Sequence, residues 1–182
     1  MKRAGLTLIA LMGAAVTGGA QAVSFADTRE YRAYQIERLT ADRDLLLAMI
    51  VAMPAEHFRT PLGDGAHGGG HDFGMQLSGL VRRFNAALER VFSVPGAVLS
   101  TEGTTIETPQ DLADNLRAVY DRATQLVRDQ SREDRLRTVH YAGVDLPGWR
   151  FWDVQHDETV WSASQLVPYF LQHGLPYPTP RF

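Results

Sequence analysis

Four side chains near the C-terminus recur at helical spacing. Glu158, Ser162, Gln165 and Tyr169 are separated by four, three and four residues. On a helix they form one stripe: a carboxylate, a hydroxyl and an amide, closed off by a phenol. Glu158 is the candidate acid–base group. Burial would raise its pKa toward the range of a general acid or base. The alternative is a structural carboxylate paired with Arg82 or Arg83. Ser162 lacks a G-x-S-x-G elbow, so it reads as a small residue on an inner helix face rather than a nucleophile. Trp161, Gln165 and Tyr169 are expected to line a pocket beside the stripe, in a segment dense in aromatics (Trp149, Phe151, Trp152, Phe170).

Metal-ligating residue types occur in two further places. His67 and His71 sit with Asp64 in a glycine-rich loop, PLGDGAHGGGHD, at 61–72. Folded over a pocket, that loop would supply a mixed histidine and carboxylate site reaching Glu158; otherwise it is solvated chain. His156 and Asp153, at i and i+3, form a second candidate chelate. They point away from the Glu158 stripe and are expected to face water.

Four helices must position these groups. Residues 24–53 form the first, capped by Ser24 or Asp27, with a seam of Leu39, Leu46, Ile50 and Met53, and Pro54 ends it. Asp72 caps the second, whose apolar face is Phe73, Leu77, Leu80, Phe84, Leu88 and Val91 up to Phe92. Gly74 and Gly79 lie inside it, each about 1 kcal/mol less favourable than alanine. Thr108-Pro109-Gln110-Asp111 starts the third, with a threonine cap, proline at the first position and an acid in the first turn. Its seam of Leu112, Leu116, Val119, Ala123 and Leu126 ends near Gln130. Thr104–Ile106 and Thr138–Tyr141 are candidates for extended chain. The last helix follows Leu146-Pro147-Gly148 and stops at Gly174, a C′ glycine, with Pro176 and Pro178 beyond it. Four helices with little strand signal give an all-α four-helix bundle.

The last helix resembles that of the DinB-like (DinB/YfiT-type) family of metal-binding bundles. The family pattern there is H-x-x-x-H-R-G-Q, an apolar run, then glycine and prolines. Gln165-Leu166-Val167, Tyr169, Gly174, Pro176 and Pro178 match its end. The histidine positions fall on Glu158 and Ser162, and the Arg-Gly pair on Ala163-Ser164. Residues 52–56 and 73–80 (Ala52-Met53-Pro54-Ala55-Glu56 and Phe73-Gly74-Met75-Gln76-Leu77-Ser78-Gly79-Leu80) resemble the end of the family's first helix and the start of its second. The third histidine position there falls on Gly79. The resemblance implies up-down-down-up topology, frequent dimers, a zinc or nickel ion on three histidines, and in some members transfer of low-molecular-weight thiols or isomerisation of thiol adducts. Gly79 supplies no ligand, serine is a poor ligand for zinc or nickel, and Glu158 alone is not a site. No metal cofactor is therefore expected; zinc or nickel on a rebuilt site is the alternative.

The N-terminus has a positive Met1-Lys2-Arg3, an apolar run from Ala4 to Val16, and Ala20-Gln21-Ala22. These are the three parts of a secretory signal, predicting cleavage after residue 22 and a domain at 23–182 with no stable membrane anchor. There is no cysteine among the 182 residues, so neither a disulfide nor a lipidated cysteine. Loss of Lys2 and Arg3 leaves 16 arginines against 21 acids, a net charge of −5 with no lysine. A lysine Schiff base and a P-loop lysine are excluded, and nucleic acid is not the expected partner. The expectation is an exported, periplasmic or secreted DinB-like domain that binds a small molecule or a second copy of itself without catalysis. The alternatives are a metal-dependent transferase or hydrolase with a rebuilt site, and a purely structural interaction protein.

Overall fold

A computed structural model describes residues 28–63, 71–93 and 108–179. Four long helices dominate: α1 (Arg29–Ala52), α2 (Phe73–Phe92), α3 (Pro109–Asp129) and, after a short α4 (Arg132–Leu136) and two strands, α5 (Gly148–Gln172). The side chain of Thr28 caps α1 by accepting from the Tyr31 amide, in place of the expected Ser24 or Asp27, which lie outside the described residues. Asp72 and Thr108 cap α2 and α3, each accepting from an amide three residues on. Gly174 has φ +64, as a terminating glycine does, and α5 runs unbroken through Pro168 to reach it.

Burial follows the helical period. Leu39, Leu46, Ile50 and Met53 are buried on α1, and Leu112, Leu116, Val119 and Ala123 on α3. They meet Phe73, Leu77, Leu80, Phe84 and Leu88 of α2 and Phe151, Trp152, Leu166 and Phe170 of α5 in one core. Gly74 is required by close approach: a Cβ there would stand 2.5 Å from the ring of Phe58, whose carbonyl accepts from the Gly74 amide.

Specific contacts give the directions. Gln35 meets Asp153 and Asp42 meets His156, so α1 and α5 run parallel. Arg32 reaches Gln130 while Arg43 reaches Asp121, so α1 and α3 are antiparallel. Phe73 packs on Phe170 and Phe92 on Phe151, so α2 opposes α5. The order is up-down-down-up, with α1 and α2 each packed against α3 and α5. No described helix is long and apolar enough to cross a membrane.

The stretch between α3 and α5 holds more structure than its polarity suggests. Ser131 and Asp134 form a capping box that nucleates α4. Strands β1 (Thr138–Tyr141) and β2 (Val144–Pro147) then pair antiparallel, Tyr141 opposite Val144. Ala142 and Gly143 both have positive φ, +52° and +81°, which suits a two-residue hairpin turn. Thr104–Ile106 lies outside the described residues.

Candidate functional site

Helix spacing places Glu158 and Ser162 one turn apart on α5, and Ser162 faces α2. Between α2 and α5 lies a cavity of about 300 Å³. Leu77, Leu80 and Leu166 are its apolar lining; Gln76, Arg83, Ser162 and Gln165 are its polar lining, and Trp161 stands at its edge, 64% exposed. Tyr169 does not line this cavity. It is buried at the far end of the stripe, its ring against Phe73 and its hydroxyl donating to the His71 carbonyl at 2.9 Å.

Gly79 does not line the cavity but underlies a residue that does. A Cβ at this position would lie 3.2 Å from Nη1 of Arg83 and would meet no other atom within 4 Å outside its own helix. The guanidinium therefore lies over bare glycine backbone, one turn along α2, and also lines the cavity that Ser162 lines. Of Gly79, Glu158 and Ser162, Ser162 lines the cavity itself, and Gly79 is linked to it through Arg83. Among the described residues neither Arg83, Ser162 nor Gln165 makes a side-chain hydrogen bond or ion pair. Gln76 makes only a long contact, 3.4 Å, to Nδ1 of His71.

Glu158 is half-buried, and its partner is Tyr141 rather than Arg82 or Arg83. The phenol stands 3.0 Å from both carboxylate oxygens and donates to them. Burial pushes the Tyr141 hydroxyl up, and the Glu158 charge adds to this, so the phenol stays protonated and keeps donating. This contact depends on the β1–β2 hairpin, which delivers Tyr141 to α5. The sequence signal for it was Ala142-Gly143 between two extended runs, weaker than the Asn-Gly or Asp-Gly that marks such turns.

The rebuilt-site candidates separate. His67 and Asp64 lie outside the described residues. His71 is exposed at the start of α2. Among the described residues no group of three His, Asp or Glu side chains is placed to hold a metal ion.

His156 and Asp153 do not face water as expected; they form the seam between α5 and α1. Nδ1 of His156 lies 2.9 and 3.0 Å from the two oxygens of Asp42, a carboxylate only 4% exposed. Asp153 accepts from Gln35 at 2.8 Å and from Arg38 at 2.6 Å. Periodicity located the face correctly as the one opposite Glu158, but that face abuts a parallel helix. Beyond this seam, α1, α5 and Tyr177–Thr179 border a wider cleft of about 780 Å³.

The fold is DinB-like. The structure is similar to the crystal structure of a DinB-like protein from Bacillus cereus, with a TM-score of 0.66 over 80% of this chain and 94% of that chain, at 14% sequence identity. The sequence itself matches no family model and no curated protein.

The geometry fixes an expected outcome for Gly79→Ala. The Cβ meets only the mobile tip of an arginine, which can yield a few tenths of an ångström. Helix propensity then dominates, and the variant should be stabilised by about 0.5–1 kcal/mol. Urea unfolding measures this; destabilisation of similar size would mean that the glycine serves a close packing contact instead.

Proposed function

We propose that this chain is an exported DinB-like bundle that has given up a three-histidine metal centre and binds a small molecule, without catalysis, in the cavity between α2 and α5. One observation supports this most. The cavity at Ser162 is lined by an arginine, a hydroxyl and an amide with no partners of their own among the described residues, beside three leucines. A few convergent polar groups in an apolar recess are the usual make-up of a small-ligand site. The residues do not suit a zinc or nickel ion. Glycine offers no donor, the serine hydroxyl is a poor one, and Glu158 is held by Tyr141.

Elemental analysis of protein purified from the periplasm without chelator or histidine tag tests the metal side of the reading. Zinc, nickel and manganese should be well below one per chain. Chelator should leave the melting temperature unchanged, because a metal bound to the folded state would raise it by linkage. One metal per chain with a large fall on chelation would overturn the proposal, and His67→Ala and His71→Ala would then locate the site. Export has its own check. N-terminal sequencing of the mature protein should begin at or near Val23; intact Met1 on soluble cytoplasmic protein would refute it.

A further inference from the structure

We infer that the ligand of the α2–α5 cavity is a small monocarboxylate carrying a flat or branched apolar group, held by Arg83. This rests on the small-molecule reading of the same cavity and specifies its chemistry.

Arg83 is the cationic group in the cavity lining. Its guanidinium is not spent on a carboxylate: neither Glu158, which takes its hydrogen bonds from Tyr141, nor any other described acid pairs with it. The bare backbone at Gly79 gives the guanidinium its place, with Nη1 only 3.2 Å from where a side chain would begin. A planar fork of N–H donors fits a carboxylate through two parallel hydrogen bonds. The Ser162 hydroxyl and the Gln165 amide line the same recess and can complete the carboxylate's hydrogen bonding.

Charge sets the valence. One guanidinium neutralises one negative charge, and the Glu158 carboxylate stands one helical turn from Ser162. A dianion such as a phosphate monoester would carry an uncompensated charge toward that carboxylate, in a protein with an acidic balance. The apolar part follows from Leu77, Leu80 and Leu166, and from Trp161, whose exposed indole at the cavity edge offers a face for a flat group. A volume near 300 Å³ limits the ligand to small acids.

The test is isothermal titration of the purified protein with phenylacetate, benzoate and isovalerate, each beside its neutral primary amide. At least one acid should bind saturably and about tenfold or more tighter than its amide, as loss of a charge-assisted bidentate contact predicts. Arg83→Gln should weaken that acid by a similar factor and leave the amide unchanged, and Arg83→Lys should fall between. Since Arg83 is exposed and has no hydrogen-bond or ion-pair partner among the described residues, its variants should melt with the wild type, which verifies that they fold. Trp161→Phe should abolish the change in tryptophan fluorescence on binding. If amides bind as well as acids and Arg83→Gln alters neither, the carboxylate assignment is overturned while the small-molecule reading of the cavity survives. If no acid and no amide gives heat or a fluorescence change up to about 10 mM, well beyond the range of specific small-ligand binding, both fail.

Discussion

The triple substitution Gly79→His, Glu158→His and Ser162→His should create a zinc or nickel site between α2 and α5. Ser162 and the Arg83 guanidinium line one cavity, that guanidinium covers Gly79, and Glu158 lies one turn from Ser162. The expected result requires three imidazoles on these positions to converge on one volume. Without metal the variant should be less stable than the natural protein by roughly 2–4 kcal/mol, from crowding and from buried polar rings. Two identifiable losses contribute. Arg83 must leave the surface of residue 79, and Tyr141 loses the carboxylate that accepts its hydroxyl. Metal at a hundredfold excess over its dissociation constant should return about 2.7 kcal/mol. For a domain of this size that is a rise of roughly 5–10 °C in melting temperature. Zinc titration followed by thermal melting reads the effect directly. A folded variant whose melting point ignores zinc and nickel would show that the three positions do not converge.

The bundle was legible because its signals are periodic and local. The seam from Leu39 to Met53, the Thr108-Pro109 start and the Gly174 stop depend on residues a few places apart, and each sits in the structure as its spacing implies. The site was legible only in part, because its geometry comes from side chains distant in sequence. The stripe of Glu158, Ser162 and Gln165 could be seen, yet nothing in it indicates that Tyr141, seventeen residues earlier, would turn back on a hairpin to hold Glu158. Arg83 was visible only as a possible partner for Glu158. Its position over Gly79 depends on a rotamer, which spacing does not report. Spacing alone turns His156 and Asp153 toward water, because charged residues opposite a functional stripe usually face it. In a parallel pair of helices that face meets α1 instead, and Arg38, Gln35 and Asp42 are the matching groups.

The α1–α5 seam carries the second large expected effect. Asp42 is buried, and burial pushes its carboxyl above the usual 3.8, with the hydrogen bond and charge of His156 opposing that shift. His156→Ala removes the opposing contact and leaves a carboxylate in the interface without its partner. At pH 7 the variant should be less stable by about 2–3 kcal/mol, below the usual cost of breaking a fully buried pair because His156 retains some exposure to water. The sign of the pH dependence follows from the direction of the shift. A carboxyl whose folded pKa is raised is best tolerated below its unfolded pKa, when neutral, and costs stability as pH rises through the folded value. Without His156 the folded value moves higher still, so the deficit should be larger at pH 7 than at pH 4.5. Asp42→Asn supplies the control. The amide oxygen can still accept from Nδ1 of His156, and no charge is buried, so stability at pH 7 should stay within about 1 kcal/mol of the natural protein. Urea unfolding of the three proteins at both pH values provides the comparison. A His156→Ala deficit that is equal at the two pH values, or an Asp42→Asn loss as large as that of His156→Ala, would mean that α1 and α5 are joined there by packing rather than by the buried carboxylate and its histidine.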